Sequence, residues 1–170
     1  MKNAILKYAA CSIIILFGWK IHAEQPQGRQ MKVEPAGNYE PISCAVTCTP
    51  YQSNVWVDVT FSNTTSVVVG MWERNLLKEA SLTWSAFEVF LNGKEVEYIG
   101  KEVKRPAPGP SEFYKMKPGE VCKARLDLSQ HYDLSKAGSY QVRYFSVNVP
   151  EGGGKMFFIK SPVASFVKKL

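Results

Sequence analysis

Histidine is scarce in this sequence of 170 residues, with His22 and His131 as its two copies. Histidine is the commonest general base and a frequent metal ligand, so its scarcity leaves little material for either chemistry. A hydrolase site would have to combine His131 with Asp133 and one of several serines. The Gly-x-Ser-x-Gly turn that exposes a nucleophilic serine is missing from the sequence. We therefore expect no catalytic residues, and we interpret His131 as a solvent-facing or corner-bonding side chain.

Long apolar runs are also missing. The run over residues 9–19 has eleven residues, whereas a membrane span needs about 20. Lys2 and Lys7 stand at the start of this segment and the small residue Ala23 ends it, which is the order of a secretory signal peptide. We predict that residues 1–23 are removed on export to the periplasm or the exterior. Cleavage takes Cys11 away, and we expect no membrane anchor in the 147 residues that remain.

Neither positive nor negative charge dominates the chain. Lysine and arginine number 21 against 15 acidic residues, a formal charge of +6 that falls to +3 when the three lysines of the signal leave. A nucleic-acid-binding protein needs a dense face of lysine and arginine. Here charges of both signs are interspersed on the outward positions of predicted strands, so we interpret them as a solvated surface and expect no nucleic-acid partner.

Cysteine is sparse, and its number is odd after cleavage: Cys44, Cys48 and Cys122 remain. A metal site would use these three with His131, but oxidising export compartments favour disulfides. In an extended strand Cys44 and Cys48 lie about 13 Å apart, at roughly 3.3 Å per residue, which is too far for a bridge. We therefore predict that one of the two is bonded to Cys122 while the other is free, buried or joined to another chain, and we expect no metal or cofactor.

What the sequence does contain is repeated strand alternation. Residues 24–41 are polar and rich in proline and glycine, which predicts a flexible leader. Residues 42–170 carry β-strand patterns separated by turn signals, including Asn92-Gly93, the strongest short hairpin signal. We find no internal repeat. The pattern predicts a single all-β domain, an immunoglobulin-like antiparallel β-sandwich of about seven to eight strands.

A tyrosine near the end of the chain supports the immunoglobulin-like assignment. Tyr140 follows a corner and a glycine and opens an alternating strand, and Val142 stands two residues later. Immunoglobulin-like domains place a corner tyrosine there, with the second disulfide cysteine at the later position. We predict that Tyr140 forms this tyrosine corner and that Val142 replaces the cysteine. The alternative is an ordinary half-buried strand tyrosine.

Asn63 heads an Asn-Thr-Thr sequence. In a secreted eukaryotic protein this is a glycosylation signal, whereas in a bacterium it is simple turn chemistry. The sequence does not decide between the two.

A proline-rich segment is the candidate binding element. Prolines stiffen an exposed connection and lower the entropy lost on docking, and adjacent cations suit an acidic cleft. The alternative is a rigid crossover between the sheets, and the aromatic residues that follow either contact a partner or cap the end of the sandwich. The candidate residues are Lys104, Arg105, Pro106, Pro108, Phe113 and Tyr114.

These segments together resemble a known family. The pieces VTFSNTT, FEVFLNGKEVEYIG, VKRPAP, SEFYKMKPGE and DLSQHYDLSKAGSYQVRY are similar to the N-terminal pro-region of deuterolysin-type (aspzincin) zinc metallopeptidases of secreted bacterial type. The resemblance covers residues 55–144. In that family the pro-region precedes the peptidase, assists its folding and keeps it inactive until cleavage.

The resemblance does not extend to the peptidase itself. The sequence lacks His-Glu-x-x-His and the later Gly-Thr-x-Asp segment that supplies the family's aspartate ligand. The resemblance therefore implies a non-catalytic protein that binds an aspzincin-type metallopeptidase as inhibitor or folding helper. The alternative is a general extracellular binding or structural module without a peptidase partner.

Overall fold

The computed structural model describes residues 40–79, 81–149, 151–152 and 156–169. The predicted signal peptide and most of the predicted leader, residues 1–39, lie outside these ranges. The last two leader residues are attached to the domain. A carboxylate oxygen of Glu40 lies 3.1 Å from Lys160 Nζ, and the carbonyl oxygen of Pro41 accepts a hydrogen bond of 3.1 Å from the Thr64 amide.

Ten strands and three short 3-10 helices make up the described chain. The strands are β1 (Ile42–Tyr51), β2 (Asn54–Asn63), β3 (Val69–Trp72), β4 (Phe87–Leu91), β5 (Lys94–Glu95), β6 (Phe113–Met116), β7 (Val121–Asp127), β8 (Gly138–Asn148), β9 (Phe157–Lys160) and β10 (Ala164–Lys168). The 3-10 helices span Glu73–Leu76, Pro110–Glu112 and Leu128–Gln130. The fold is the predicted all-β sandwich. It has more strands than the seven to eight predicted, because the four residues of β6 show no clear alternation and the end of the chain forms two strands, β9 and β10.

The strands form antiparallel sheets in the order expected of an immunoglobulin-like sandwich. One sheet has the order β1-β2-β7, the other has the order β10-β8-β4-β5 with β9 also paired to β8, and β3 pairs with β6. This order matches strands A, B and E of one immunoglobulin sheet and G, F and C of the other. The hairpin between β4 and β5 turns at Asn92-Gly93, where φ is +48° and +80°, as two-residue hairpins require.

The core lies between the inner faces of the two large sheets. Alternate residues of β2 are fully buried, as the sequence predicts, and Trp56 is half-buried on the opposite face. At the centre, the Tyr144 ring meets Phe61 of β2 edge-on at 5.2 Å and Phe87 of β4 at 5.5 Å. Edge-on aromatic contacts add to the burial of apolar area, so Tyr144 joins the two sheets.

The tyrosine corner forms where it was predicted. The Tyr140 hydroxyl donates a 2.8 Å hydrogen bond to the carbonyl oxygen of Lys136, four residues upstream, and its ring stacks on Phe166 with centroids 5.0 Å apart. Val142 is fully buried. These contacts fix the corner before β8 in the manner of immunoglobulin-like domains.

Strand β8 runs farther than the sequence pattern indicated. The apolar alternation ends at Tyr144, and the proline and glycines of residues 147–155 are typical of a loop. The strand nevertheless continues to Asn148. The sequence hides this end of the strand because Ser146 and Asn148 are polar at inward positions, where the pattern requires apolar residues. Both are buried, and both are hydrogen-bonded, so the core accepts them without unpaired polar groups.

Asn63 has a structural role that its sequence context left open. Its side chain is 2% exposed, and its amide nitrogen donates to the carbonyl oxygens of Val67 and Met116 at 2.8 and 2.9 Å. Its amide oxygen accepts from the Thr65 amide at 2.9 Å. Glycosylation needs that nitrogen at the surface, whereas in this fold the Asn63 side chain is buried and stabilises the turn after β2 through its hydrogen bonds.

The predicted disulfide is wrong. Cys44, Cys48 and Cys122 are all free thiols. Cys44 and Cys122 flank β2 and are both in register with Phe61, so two strand spacings, about 9.5 Å, separate their Cα atoms. A disulfide needs Cα atoms within about 7 Å. Cys48 lies farther along β1, and the sheet therefore keeps all three thiols apart.

We expect three free thiols in the oxidised, exported protein. Burial raises the pKa of both Cys44 and Cys48 to about 12, so these thiols stay protonated near neutral pH and react slowly in the folded state. Titration with a thiol reagent in denaturant, without reductant, should count about three thiols. The folded protein should react far more slowly at Cys44. A count near one would show that a bridge forms after all.

Candidate functional site

The proline-rich segment forms an exposed connection between β5 and β6. The Val103 amide donates to the Thr83 carbonyl oxygen at 3.0 Å, which fastens the start of the segment to the domain. At its end, the Gly109 amide donates to Glu112 Oε2 at 2.7 Å. Between these two points Lys104, Arg105 and Pro106 are exposed, and Pro108 is half-buried. The segment is therefore fastened to the domain at its start and capped locally at its end, while its basic residues face solvent.

Arg105 borders a groove that the sequence did not predict. The groove has a volume of about 180 Å³. We call it the arginine–tryptophan groove, after Trp72, Arg74, Trp84 and Arg105. The other lining residues are Glu73, Leu77, Lys78, Glu79, Ser81, Thr83 and Glu112. Of the predicted binding residues, Arg105 alone lines this groove.

Arg74 lies between two indole rings. Its guanidinium carbon is 4.6 Å from the ring centroid of Trp72 and 4.0 Å from that of Trp84. Burial, and then the positive charge of Arg105, lower the pKa of Arg74. Cation–π contacts of this kind stabilise a guanidinium by about 0.5 to 2 kcal/mol. They also fix its plane, so Arg74 is a positioned cation and not a mobile surface side chain.

Asn75 attaches the 3-10 helix that carries Arg74 to strand β8. Asn75 is 2% exposed. Its Nδ2 donates to the Val147 carbonyl oxygen at 3.1 Å, and its Oδ1 accepts from Ser146 Oγ at 2.8 Å. Its backbone carbonyl accepts from the Tyr144 hydroxyl at 2.7 Å. Buried polar networks of this kind specify one arrangement of the chain, so Asn75 determines where Arg74 lies.

The two ends of this helix are held as well. The Trp72 amide donates to Asn148 Oδ1 at 2.9 Å, and Asn148 Nδ2 donates to the Gly70 carbonyl oxygen at 3.0 Å. Leu77 follows the helix in the left-handed region, at φ +55° and ψ +28°. A branched residue rarely adopts that backbone conformation. Leu77 is 5% exposed at the wall of the groove, so its burial holds this strained conformation.

Phe113 and Tyr114, the predicted contact aromatics, lie on β6 and are half-buried. The Tyr114 hydroxyl is hydrogen-bonded to Glu120, which raises the pKa of Tyr114 to about 12. Lys78 Nζ lies 3.9 Å from the centroid of the same ring. Tyr114 is therefore engaged by the domain's own side chains, and it holds Lys78 at the border of the groove.

His131 is a buried corner residue and does not face solvent. It is 6% exposed, its Nε2 accepts from the Leu82 amide at 3.4 Å, and its carbonyl oxygen accepts from the Ile99 amide at 2.8 Å. Burial lowers its pKa, and Asp127 partly opposes this effect, so the ring is neutral near pH 7. The corner-bonding interpretation of His131 is thus the one that its contacts match.

A hydrolase triad is not assembled around His131. Asp133 Oδ1 accepts hydrogen bonds from the Ser135 amide and hydroxyl at 3.1 and 2.6 Å. His131 Nδ1 has no hydrogen-bond partner among the described residues, so Asp133 does not orient the imidazole as a triad requires. Within the same ranges, no three metal-ligating side chains lie close enough together to hold an ion.

Sequence reasoning missed Trp72, Arg74, Asn75 and Trp84 because they lie in a stretch with no regular period. Trp72 is the last residue of β3 and Glu73 begins a 3-10 helix, and a 3-10 helix of four residues is too short to show an amphipathic pattern. A usable signal was present: two tryptophans flank an arginine where the strand pattern that ends at Trp72 gives way to residues 73–85, which have a weak signal. Tryptophan and arginine are enriched at interaction sites.

No protein-family model matches the chain. Among curated proteins, it is 30% identical over 102 residues to a protein described as an extracellular protease, from Aeromonas hydrophila. The match covers 59% of this chain but 28% of that protease. The chain thus corresponds to less than a third of the relative's length. The similarity is to a protein outside the cell, which agrees with predicted export, and no helix of the described residues could cross a membrane.

Proposed function

We propose that this chain is a secreted or periplasmic, non-catalytic protein that binds a metallopeptidase of the aspzincin type, as an inhibitor or as a folding helper. The observation that carries the proposal is the similarity to part of an extracellular protease. The residues that resemble a pro-region, 55–144, form most of the sandwich. A protein that binds a folded peptidase shifts the peptidase toward its native state by mass action, so inhibition and folding assistance can share one surface.

The basic segment beside the arginine–tryptophan groove is the contact surface that we assign. Lys104 and Arg105 are exposed on a proline-rich segment that is fastened to the domain at Val103 and capped locally at Gly109. Such a segment loses little conformational entropy when it docks. Its positive charge complements an acidic surface, and such complementarity speeds encounter and selects the partner.

Activity and refolding measurements test the proposal. The exported chain, residues 24–170, should inhibit an aspzincin metallopeptidase from the same organism or raise its refolding yield, and it should cleave nothing itself. Replacing Lys104 and Arg105 together by alanine should weaken the effect. The free energy of unfolding should change by less than about 0.5 kcal/mol, because exposed substitutions rarely change it more.

Two outcomes would count against this proposal. Full inhibition by the double variant would exclude Lys104 and Arg105 as the main contact. Absence of both inhibition and folding assistance, with folded chain and the cognate peptidase, would favour a general extracellular binding or structural module.

A further inference from the structure

The arginine–tryptophan groove contains two arginines, Arg74 and Arg105, that have no carboxylate partner within the described ranges. Arg74 and Arg105 are close enough for the charge of Arg105 to lower the pKa of Arg74. Among the described residues, no carboxylate forms an ion pair with either arginine, and Arg74 Nε is buried without a hydrogen-bond partner. Two neighbouring like charges repel each other. An anion placed between them would relieve that repulsion.

The acidic residues of the groove are largely engaged elsewhere. Glu73 Oε1 lies 3.0 Å from Lys78 Nζ, and Glu112 Oε2 accepts from the Gly109 amide at 2.7 Å. Glu79 is exposed at the border. These three carboxylates equal Arg74, Lys78 and Arg105 in number, but neither arginine forms an ion pair with them, so the local field is not strongly positive. A singly charged anion therefore suits the groove better than a phosphate with about two charges.

We propose that this groove binds the carboxylate of an acidic side chain, glutamate or aspartate, in a peptide segment of a partner protein. Guanidinium groups bind planar carboxylates through paired hydrogen bonds. The indoles of Trp72 and Trp84 hold Arg74 in one plane, and they offer apolar surface to the methylene groups of the side chain. A volume of about 180 Å³ accepts a side chain. The inference rests on the proposed function, because it assigns acidic chemistry to the partner's contact segment.

Tryptophan fluorescence of the exported chain tests this assignment directly. Trp72 and Trp84 border the groove, whereas Trp56 lies on β2 beneath Arg125, so a Trp56→Phe background isolates the groove signal. The probes are a capped peptide with two adjacent glutamates, its counterpart with two glutamines, and inorganic phosphate. We expect the glutamate peptide to change the emission and to bind at least about tenfold more tightly than the glutamine peptide. Phosphate should bind more weakly than the glutamate peptide.

Two arginine variants sharpen the test. Arg74→Gln should remove the preference for glutamate over glutamine, because it removes the positioned charge. The matched control is Arg125→Gln, in which the lost guanidinium also lies over a tryptophan, 5.4 Å from the Trp56 centroid, but outside the groove. This control, made with Trp56 retained, should keep the preference. Circular dichroism melting curves confirm that each variant is folded.

Equal affinity for the two peptides, tighter binding of phosphate than of the glutamate peptide, or an equal loss in Arg125→Gln would overturn the assignment. Its failure is separable from that of the proposed function. If the wild-type chain and Arg74→Gln bind the peptidase equally well, the groove is not the contact, while the peptidase partnership stands. A glutamate preference without any binding of the peptidase would support the groove as a carboxylate site and would contradict the peptidase partnership.

Discussion

Replacing Asn75 by alanine should lower the free energy of unfolding by about 3 kcal/mol, and the melting temperature by about 10 °C. The substitution removes the partners of the Ser146 hydroxyl and the Val147 carbonyl oxygen. The Ser146 hydroxyl is buried and the contact with Val147 is partly buried, and a buried polar group without a partner costs about 1 to 3 kcal/mol. Thermal and denaturant unfolding, followed by circular dichroism, measure the change.

An asparagine at the protein surface provides the control. Asn54 accepts an exposed hydrogen bond from Ser53, so Asn54→Ala should change the free energy of unfolding by less than about 0.5 kcal/mol. Adding Ser146→Ala to Asn75→Ala should cost less than the sum of the two single changes, because it deletes the hydroxyl that lost its partner. Equal stability of Asn75→Ala and Asn54→Ala, or strict additivity, would contradict the role of Asn75 as the attachment between the 3-10 helix and β8.

Replacing Gly100 by alanine should lower the free energy of unfolding by about 2 kcal/mol, as overpacking does at a confined site. A Cβ at this position would lie 2.5 Å from Tyr98 Oη and 2.9 Å from His131 Nδ1. Neither side chain can easily yield. The Tyr98 hydroxyl lies 3.1 Å from the carbonyl oxygens of both Leu82 and Lys101, and His131 is buried. The backbone that leads to Lys104 and Arg105 would therefore move.

The same segment supplies a matched control. A Cβ at Gly109 meets nothing closer than Glu112 Oε2 at 3.9 Å, so Gly109→Ala should leave stability unchanged or raise it by up to about 1 kcal/mol. Gly100→Ala should also weaken binding at the arginine–tryptophan groove, since Arg105 follows the displaced backbone. A Gly100→Ala protein as stable as Gly109→Ala would show that the crossing segment tolerates movement and does not position Arg105.

The sheets of this protein could be predicted because their signals are local. Alternation in β2 and β7, the Asn-Gly hairpin and the spacing of Tyr140 and Val142 each depend on residues close together in sequence. The structure has these features where the sequence indicated them. The end of β8 was missed because Ser146 and Asn148 are polar at inward positions, and their hydrogen-bond partners come from the segment around Asn75.

The groove and the thiols could not be predicted because they depend on distant pairings. Trp84 and Arg105 approach Arg74 only once the segments after β3 and β5 line the same groove. The disulfide prediction assumed that strands bearing Cys44 and Cys122 could be neighbours. Strand β2 lies between them, and the sequence contains no local signal of strand order.

The binding of a peptidase is the central claim, and isothermal titration calorimetry measures it most directly. The exported chain, titrated into a folded aspzincin metallopeptidase of the same organism, should give saturable binding at one chain per peptidase. Binding by the Arg74→Gln, Arg105→Gln double variant should be at least about tenfold weaker, because two positioned charges are lost. Absence of saturable binding by the folded wild-type chain would contradict the account.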